Sequence, residues 1–214
     1  MNKINYHKQL LETIDSLDYR PKLLLHACCG VCLAYPLNFL KEKFDITIYY
    51  YNSNIYPETE YHRRYNEMLH YLKVSDNTEI KVIEATYDNP SFNKVISKYA
   101  DEKEGGKRCS LCFDLRLEAS FKYANEHNFD YITTIMTVSR HKNSQVINQI
   151  GFQLSKKYPN TDYLYSDFKK DNGTLKGSQI ADSFNLYRQD YCGCIYSYKE
   201  KLKREKLKAQ ELNP

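Results

Sequence analysis

Seven cysteines are the residues of this 214-residue chain that are best suited to chemistry. Each lies in a predicted loop or at a predicted helix start, whereas cysteines that only pack in a core scatter among apolar positions. Where thiols stay reduced, clustered cysteines bind metal or carry redox chemistry more often than they form structural bridges. The sequence separates them into three groups: Cys28, Cys29 and Cys32; Cys109 and Cys112; and Cys192 and Cys194.

The C-x-x-C spacing of Cys109 and Cys112 suits two thiolates that converge on one metal or cluster. The adjacent Lys107 and Arg108, together with the amino terminus of a helix, favour the thiolate form. One such pair is a weak signal. Two further groups that are expected at the same edge of a sheet make it a strong one.

Seven thiols exceed the four that either a structural zinc ion or a [4Fe-4S] cluster requires. The surplus predicts a cluster together with a second metal centre, or a cluster together with a redox-active thiol pair. Because neighbouring side chains diverge at the end of a strand, Cys28 and Cys29 are expected to face two different centres.

Two histidines accompany the thiols. His26 ends the first predicted strand beside Cys28, where it can act as a ligand, as a proton donor or as a packed ring. His141 follows a later strand in "SRHKN", and with Arg140 and Lys142 it can meet a phosphate or donate a proton.

Short β-rich runs alternate with helical segments along the chain, which predicts right-handed βαβ crossovers and a parallel sheet with helices on both faces. Ligands of such sheets gather at the carboxyl ends of the strands, where "HACCGVC" (26–32) lies. The predicted strands are 22–27, 46–52, 79–85, 131–139 and 162–168. The predicted helices are 5–17, 33–43, 58–74, 90–100, 112–126 and 143–157.

Length and composition favour a single domain, 1–214, that needs no covalent staple to fold. Residues 1–22 are polar and lack an apolar signal region, so a cytoplasmic location is expected. The net charge of +4 permits an RNA partner without requiring one. The basic run 199–211 is interpreted as a closing helix with a solvated face, or as a surface that contacts an RNA backbone.

Five segments resemble successive signatures of the QueH family of epoxyqueuosine reductases, in the same order and over residues 22–198. They are "LLLHACCGVC", "YNSNIYPETEYHRR", "KRCSLCFDLRLE", "TTIMTVSRHKN" and "NLYRQDYCGCIYS". The resemblance implies a HUP-like (adenine nucleotide alpha hydrolase-like, Rossmann-like) α/β fold of about five parallel strands that does not use ATP. The absence of a glycine-rich phosphate loop after the first strand agrees with this.

The family resemblance also implies an iron-sulfur enzyme that acts on the wobble nucleoside of tRNA at the last step of queuosine biosynthesis. The expected cofactors are a [4Fe-4S] cluster and an additional mononuclear iron, with all seven cysteines as ligands. Some relatives carry Pro-Asp where this chain has Val31-Cys32, so Cys32 is interpreted as a substitute ligand of the second iron.

Removal of an epoxide oxygen takes two electrons and two protons and yields an alkene and water. Our hypothesis from the sequence is that the second iron polarises the oxygen, the cluster delivers electrons, and His141 or a nearby tyrosine supplies a proton. Cys29 and Cys32 are assigned to the catalytic group with His141. The predicted electron donor is a ferredoxin or a flavodoxin.

The expected RNA partner is the tRNA anticodon loop, where unpaired bases can be splayed and stacked. Four residues near the proposed site are predicted to bind it, and the two arginines can alternatively serve as buried ion-pair partners. These residues are Asn52, Glu60, Arg64 and Arg188.

Two other functions are compatible with the pattern. The thiols can hold zinc in an α/β binding module, where they only lock loops. Alternatively, a thiol-redox or tRNA-thiolation relative can use one cysteine pair as a persulfide or disulfide, but such proteins normally carry an ATP loop, which this chain lacks.

Overall fold

A computed structural model describes residues 3–212 of the protein. The ends of the predicted single domain, 1–2 and 213–214, lie outside the described residues. Within residues 3–212, no helix has the length and apolar character needed to cross a membrane.

The core of the protein is a five-stranded parallel sheet, as the alternating pattern predicts. Its strand order is β3-β2-β1-β4-β5, and every pairing is parallel. This order is that of Rossmann-like folds, so the predicted fold class is confirmed. The strands are β1 (Lys22–His26), β2 (Asp45–Tyr50), β3 (Lys81–Glu84), β4 (Tyr131–Thr134) and β5 (Asp162–Tyr163).

Eight α-helices surround the sheet within the described residues, and two 3₁₀ turns interrupt the connections at Ser97–Tyr99 and Ile135–Val138. The helices are α1 (Tyr6–Asp15), α2 (Gly30–Leu40), α3 (Glu58–Val74), α4 (Asn89–Ile96), α5 (Lys107–Glu126), α6 (Ser144–Lys157), α7 (Gly173–Ser183) and α8 (Ile195–Leu212).

Strand β1 lies at the centre of the sheet and contributes to hydrophobic cores on both faces. Leu23 and Leu25 pack in one core, whereas Leu24 packs in the other, because successive side chains of a strand point to opposite faces. All three are fully buried. This burial explains why the strand reads as a continuous apolar run, as is typical of strands covered on both sides.

Several element boundaries differ from the sequence prediction. Helix α5 begins at Lys107 rather than at residue 112, so Cys109 and Cys112 both lie within its first two turns. Strand β4 ends at Thr134, whose hydroxyl accepts a hydrogen bond of 3.1 Å from the Met136 amide and starts the 3₁₀ turn. Strand β5 has only two residues. Helix α7 was not predicted, because its sequence is polar and contains two glycines.

Candidate metal centre

Cys28, Cys29 and Cys32 form a three-sulfur group at the carboxyl end of β1. Cys28 lies in the short loop after the strand, Cys29 is the N-cap of α2 and Cys32 lies in the first turn of that helix. The backbone at Cys29 is extended and leads directly into the helix, so that Cys29 and Cys32, three residues apart, lie on the same side. All three sulfurs lie within 4.8 Å of one another.

The expectation that Cys28 and Cys29 face two different centres is therefore wrong. Their sulfurs are 4.0 Å apart, close to the edge of about 3.8 Å that thiolates around one tetrahedral ion with 2.3 Å bonds would give. Glycine at residue 30 also lets the start of α2 pack closely against α3. A Cβ atom at Gly30 would lie 2.9 Å from the carbonyl oxygen of Glu67 on α3.

Of the three thiols, Cys28 loses its proton most readily, and the other two stay protonated beside it. The S–H groups of Cys29 and Cys32 lower the pKa of Cys28 well below its usual value. The thiolate of Cys28 in turn raises the pKa of Cys29, and it raises the pKa of Cys32 to about 12. These soft donors suit a thiophilic cation such as iron or zinc.

Gln189 also belongs to this group, although it was not among the predicted site residues. Its side-chain Nε2 donates to the sulfur of Cys29 at 3.1 Å and approaches the sulfur of Cys32 at 3.6 Å. The Oε1 atom of Gln189 is buried and has no hydrogen-bond partner within residues 3–212. The only sequence signal for this contact is its position three residues before Cys192.

The remaining four cysteines form a second group that lines a small cavity. Cys109 and Cys112 come from the start of α5, and Cys192 and Cys194 come from the loop before α8. Gly193, between the latter two, has a φ of +124°. A residue with a side chain would adopt this backbone conformation only with strain. Burial raises the pKa values of Cys109, Cys112 and Cys192, in the case of Cys112 to about 12.

The four sulfurs are more widely spaced than the first three. Among the described residues, Cys28, Cys29 and Cys32 are the one group of potential ligands whose donor atoms all lie within 4.8 Å. Cys109, Cys112, Cys192 and Cys194 nevertheless line one common cavity.

The two sulfur groups open onto adjoining cavities. Cys28 and Cys32 line a second, larger cavity, and Cys192 lines both cavities. The exposed ring of His141 and the half-buried Lys142 also line both. Three distant segments of the chain thus bring their thiols to one edge of the sheet.

Arg116 is a buried cation at the four-sulfur group, and sequence analysis did not identify it. Its side chain is 2% exposed and lines the same cavity as Cys112, from which it is one helical turn distant on α5. Its Nη2 donates a hydrogen bond of 2.6 Å to Asn52 Oδ1. Asn52 Nδ2 in turn donates to the carbonyl oxygen of Ala27 at 2.8 Å. The i, i+4 spacing to Cys112 was the available signal.

Of the predicted substrate-binding residues, Glu60 and Arg64 form a buried ion pair with a separation of 2.7 Å. The other guanidinium nitrogens of Arg64 donate to the carbonyl oxygens of Tyr191 and Cys192, each at 3.1 Å. Arg64 therefore holds the loop that carries Cys192. It also lines the larger cavity.

Arg188 lies apart from these buried residues. Its exposed side chain donates to Asp182 Oδ1 at 2.6 Å and to the carbonyl oxygen of Ser178 at 3.0 Å, both on α7. The hydrogen bonds of Asn52, described above, likewise go to other parts of the protein. Substrate binding by all four residues stays a prediction.

His26 is a packed, neutral ring. It is fully buried, with Nδ1 2.8 Å from Thr134 Oγ1 and Nε2 3.2 Å from the carbonyl oxygen of Tyr51. Burial, assisted by the charge of Arg116, lowers its pKa to about 3. Of the three roles open to His26, the structure favours packing.

Comparison with known proteins gives a consistent result. The family model described as "Epoxyqueuosine reductase QueH" matches residues 23–200. The protein of that name from Staphylococcus aureus is 41% identical over 203 residues, which cover 91% of this chain and 84% of the relative. The Streptococcus pyogenes and Haemophilus influenzae proteins of the same name are 39% and 34% identical, covering 92% and 94% of this chain and 79% and 82% of the relatives. The chain thus belongs to the QueH family.

Proposed function

We propose that this protein is an epoxyqueuosine reductase, an oxidoreductase that converts epoxyqueuosine in tRNA to queuosine at the last step of that pathway. The observation that carries this proposal is the convergence of three cysteine segments on adjoining cavities at the carboxyl edge of the sheet. Membership of the QueH family supports epoxyqueuosine as the substrate.

The donor sets suit two metal centres of different kinds. Cys109, Cys112, Cys192 and Cys194 would hold a [4Fe-4S] cluster, since four thiolates is the number that such a cluster requires. Cys28, Cys29 and Cys32 would hold the additional iron, with one coordination position left open. When bound, these groups supply single electrons and a Lewis acid for the epoxide oxygen.

The protein itself must hold the nucleoside, exclude water and deliver protons. The larger cavity lies beside the three-sulfur group and is open to solvent, so the modified nucleoside would enter it from that side. The ion pair of Glu60 and Arg64 keeps its wall in place by anchoring the loop at Cys192. Because Gln189 fixes the positions of Cys29 and Cys32, their sulfurs are set before substrate arrives.

The reaction consumes an epoxide, two electrons and two protons, and yields an alkene and water. The ring of His141 is exposed at the boundary of the two cavities, where it can donate one proton to the departing oxygen. The second proton comes from solvent through the open side of the larger cavity. The two electrons come from a small redox protein such as a ferredoxin or flavodoxin.

The partner in this proposal is the anticodon loop of tRNA, and the place of action is the cytoplasm. The mild basic excess of the chain and the lysine-rich α8 are compatible with binding to phosphate groups. The single five-stranded sheet supports the proposal that the chain forms one domain.

The test is turnover by protein that has been loaded with iron and sulfide under anaerobic conditions. The protein is incubated with dithionite and tRNA that carries epoxyqueuosine, and the nucleosides are analysed by mass spectrometry. We expect a product that is lighter by one oxygen atom and co-elutes with queuosine. A zinc-loaded protein with the same activity would contradict the iron-sulfur cofactor. An iron-loaded protein without activity would contradict the reductase function in favour of the zinc module or the thiol-redox alternative.

A further inference from the structure

Arg116 stands out as a buried charge that lacks a carboxylate partner. Its hydrogen-bond acceptor is the neutral amide of Asn52, and its Nε has no hydrogen-bond partner within residues 3–212. Burial of a charge without compensation is costly. Two other arginines of the site are buried. Arg64 is neutralised by Glu60, and Arg108 donates to the carbonyl oxygens of Tyr99, Ala100 and Glu102. Arg116 donates to a single side-chain amide, so its charge is less well compensated than theirs.

Sulfurs from both groups surround this charge. Arg116 lines the cavity of the four-sulfur group and also lies beside Cys28 of the three-sulfur group. The sulfurs of Cys112 and Cys192 line the same cavity as Arg116. Negative charge on these ligands, when a metal group is bound, would compensate the buried guanidinium.

The proposed cofactors would give these sulfurs a net negative charge. An oxidised cubane with four thiolates carries a charge of about −2, and each added electron makes it more negative. A fixed cation nearby stabilises the reduced form more than the oxidised form, because the attraction grows with the charge. Lys142 lines the same cavity and is half-buried, so its charge would act in the same direction as that of Arg116.

We propose that Arg116 is a positioning residue that acts through the four-sulfur group, where its buried charge makes the iron-sulfur cluster easier to reduce. The link through Asn52 to the carbonyl oxygen of Ala27 fixes this charge beside both sulfur groups. This role rests on the proposed function, since it requires the cluster.

The experiment is a redox titration of the loaded protein with dithionite, in which each cluster accepts one electron and the absorbance or electron-resonance signal is followed. Arg116→Gln removes the charge and Arg116→Lys retains it. Arg20→Gln is the matched control. The guanidinium of Arg20 donates to the carbonyl oxygens of Lys41 and Phe44 near the opposite edge of the sheet, so this variant changes the net charge equally.

We expect the midpoint potential of Arg116→Gln to shift to more negative values, while Arg116→Lys and Arg20→Gln stay close to the wild type. If Arg116→Gln assembles no cluster, the midpoint potential of the cluster in Arg116→Lys tests the charge role instead. A cluster with the wild-type potential in that variant supports the charge role, and its loss there as well contradicts it.

Two results would overturn the inference in distinguishable ways. An intact cluster whose potential is the same in Arg116→Gln as in the wild type refutes the role of Arg116 and leaves the proposed function standing. A wild-type protein that binds no iron and sulfide refutes the proposed cofactor, and the role of Arg116 with it.

Discussion

The side-chain amide of Gln189 donates a hydrogen bond of 3.1 Å to the sulfur of Cys29. This contact joins two segments that are 160 residues apart in the sequence. Because Gln189 lies in the loop that leads to Cys192, the same segment supports both sulfur groups. The positions of the two groups are therefore coupled through the loop before α8.

Replacement of Gln189 by alanine should weaken metal binding at the three-sulfur group. Loss of an outer-shell hydrogen bond to a ligand typically costs about 10- to 100-fold in metal affinity, and Gln189 contacts two of the three sulfurs. Titration with Co²⁺ against a competing chelator, followed by the thiolate-to-metal absorption, measures the change. Gln149→Ala, on the exposed side of α6, is the control and should bind as the wild type does. Equal affinities for the two variants would contradict a supporting role.

Replacement of Arg64 by methionine should destabilise the fold strongly. Glu60 would be left as a buried unpaired carboxylate, and two loop carbonyls would lose their donor. Breaking a buried ion pair costs about 3–5 kcal/mol. Urea unfolding of the metal-free protein measures the loss.

Arg188→Met serves as the comparison, since its ion pair with Asp182 is exposed and should contribute only about 0–1 kcal/mol. Combining Arg64→Met with Glu60→Gln should recover part of the stability, because the unpaired charge is then removed. A loss for Arg64→Met no larger than that for Arg188→Met would show that the buried pair does not hold the loop.

The two sulfur groups should lose metal independently. In Cys112→Ala, the loss of one thiolate from the four-sulfur group should remove the acid-labile sulfide and most of the iron. In Cys32→Ala, the sulfide should remain and only about one iron per chain should be lost. Chemical analysis of iron and sulfide in anaerobically loaded protein measures both. Parallel loss of sulfide in the two variants would contradict the division into groups of three and four.

Binding of tRNA should weaken with salt, and α8 should contribute to that dependence. Lys199, Lys203 and Lys206 lie on one face of this helix and are exposed. Their joint replacement by glutamine should reduce the slope of log K against log salt by roughly 2 to 3, since each duplex phosphate contact contributes about 0.9. Fluorescence anisotropy at several salt concentrations measures the slope.

A variant with the same change in charge controls for net electrostatics. Lys22, Lys43 and Lys81 are exposed at the amino ends of the strands, opposite the cysteines. Their replacement by glutamine should leave the slope nearly unchanged. Identical slopes for the two triple variants would remove α8 from the RNA surface.

The fold was largely predictable from the sequence because its strands are short apolar runs separated by helices of clear periodicity. Leu23 to Leu25 mark the central strand by their apolar character alone. Helix α7 could not be predicted in this way, since its polar sequence is held by packing against α2. The start of α5 was predicted too late because Gly105 and Gly106 are typical of a loop, although the helix begins directly after them at Lys107.

Within the site, local spacing revealed the cysteines but not their supporting residues. The convergence of Cys28 and Cys29 depends on the extended backbone at Cys29, which no pattern of residue types encodes. Gln189 reaches the sulfur of Cys29 only through a tertiary contact over 160 residues. Arg116 lies one helical turn from Cys112, but the hydrogen bond to Asn52 that fixes its side chain spans 64 residues. Such contacts become visible only when the chain is folded.

Anomalous diffraction at the iron edge, from crystals of anaerobically loaded protein, tests the central claim most directly. We predict two separate iron peaks in each chain. One would be a multi-iron peak among Cys109, Cys112, Cys192 and Cys194, and the other a single-iron peak at Cys28, Cys29 and Cys32. A map in which either group binds zinc or no metal, while the protein still reduces epoxyqueuosine in tRNA, would contradict it.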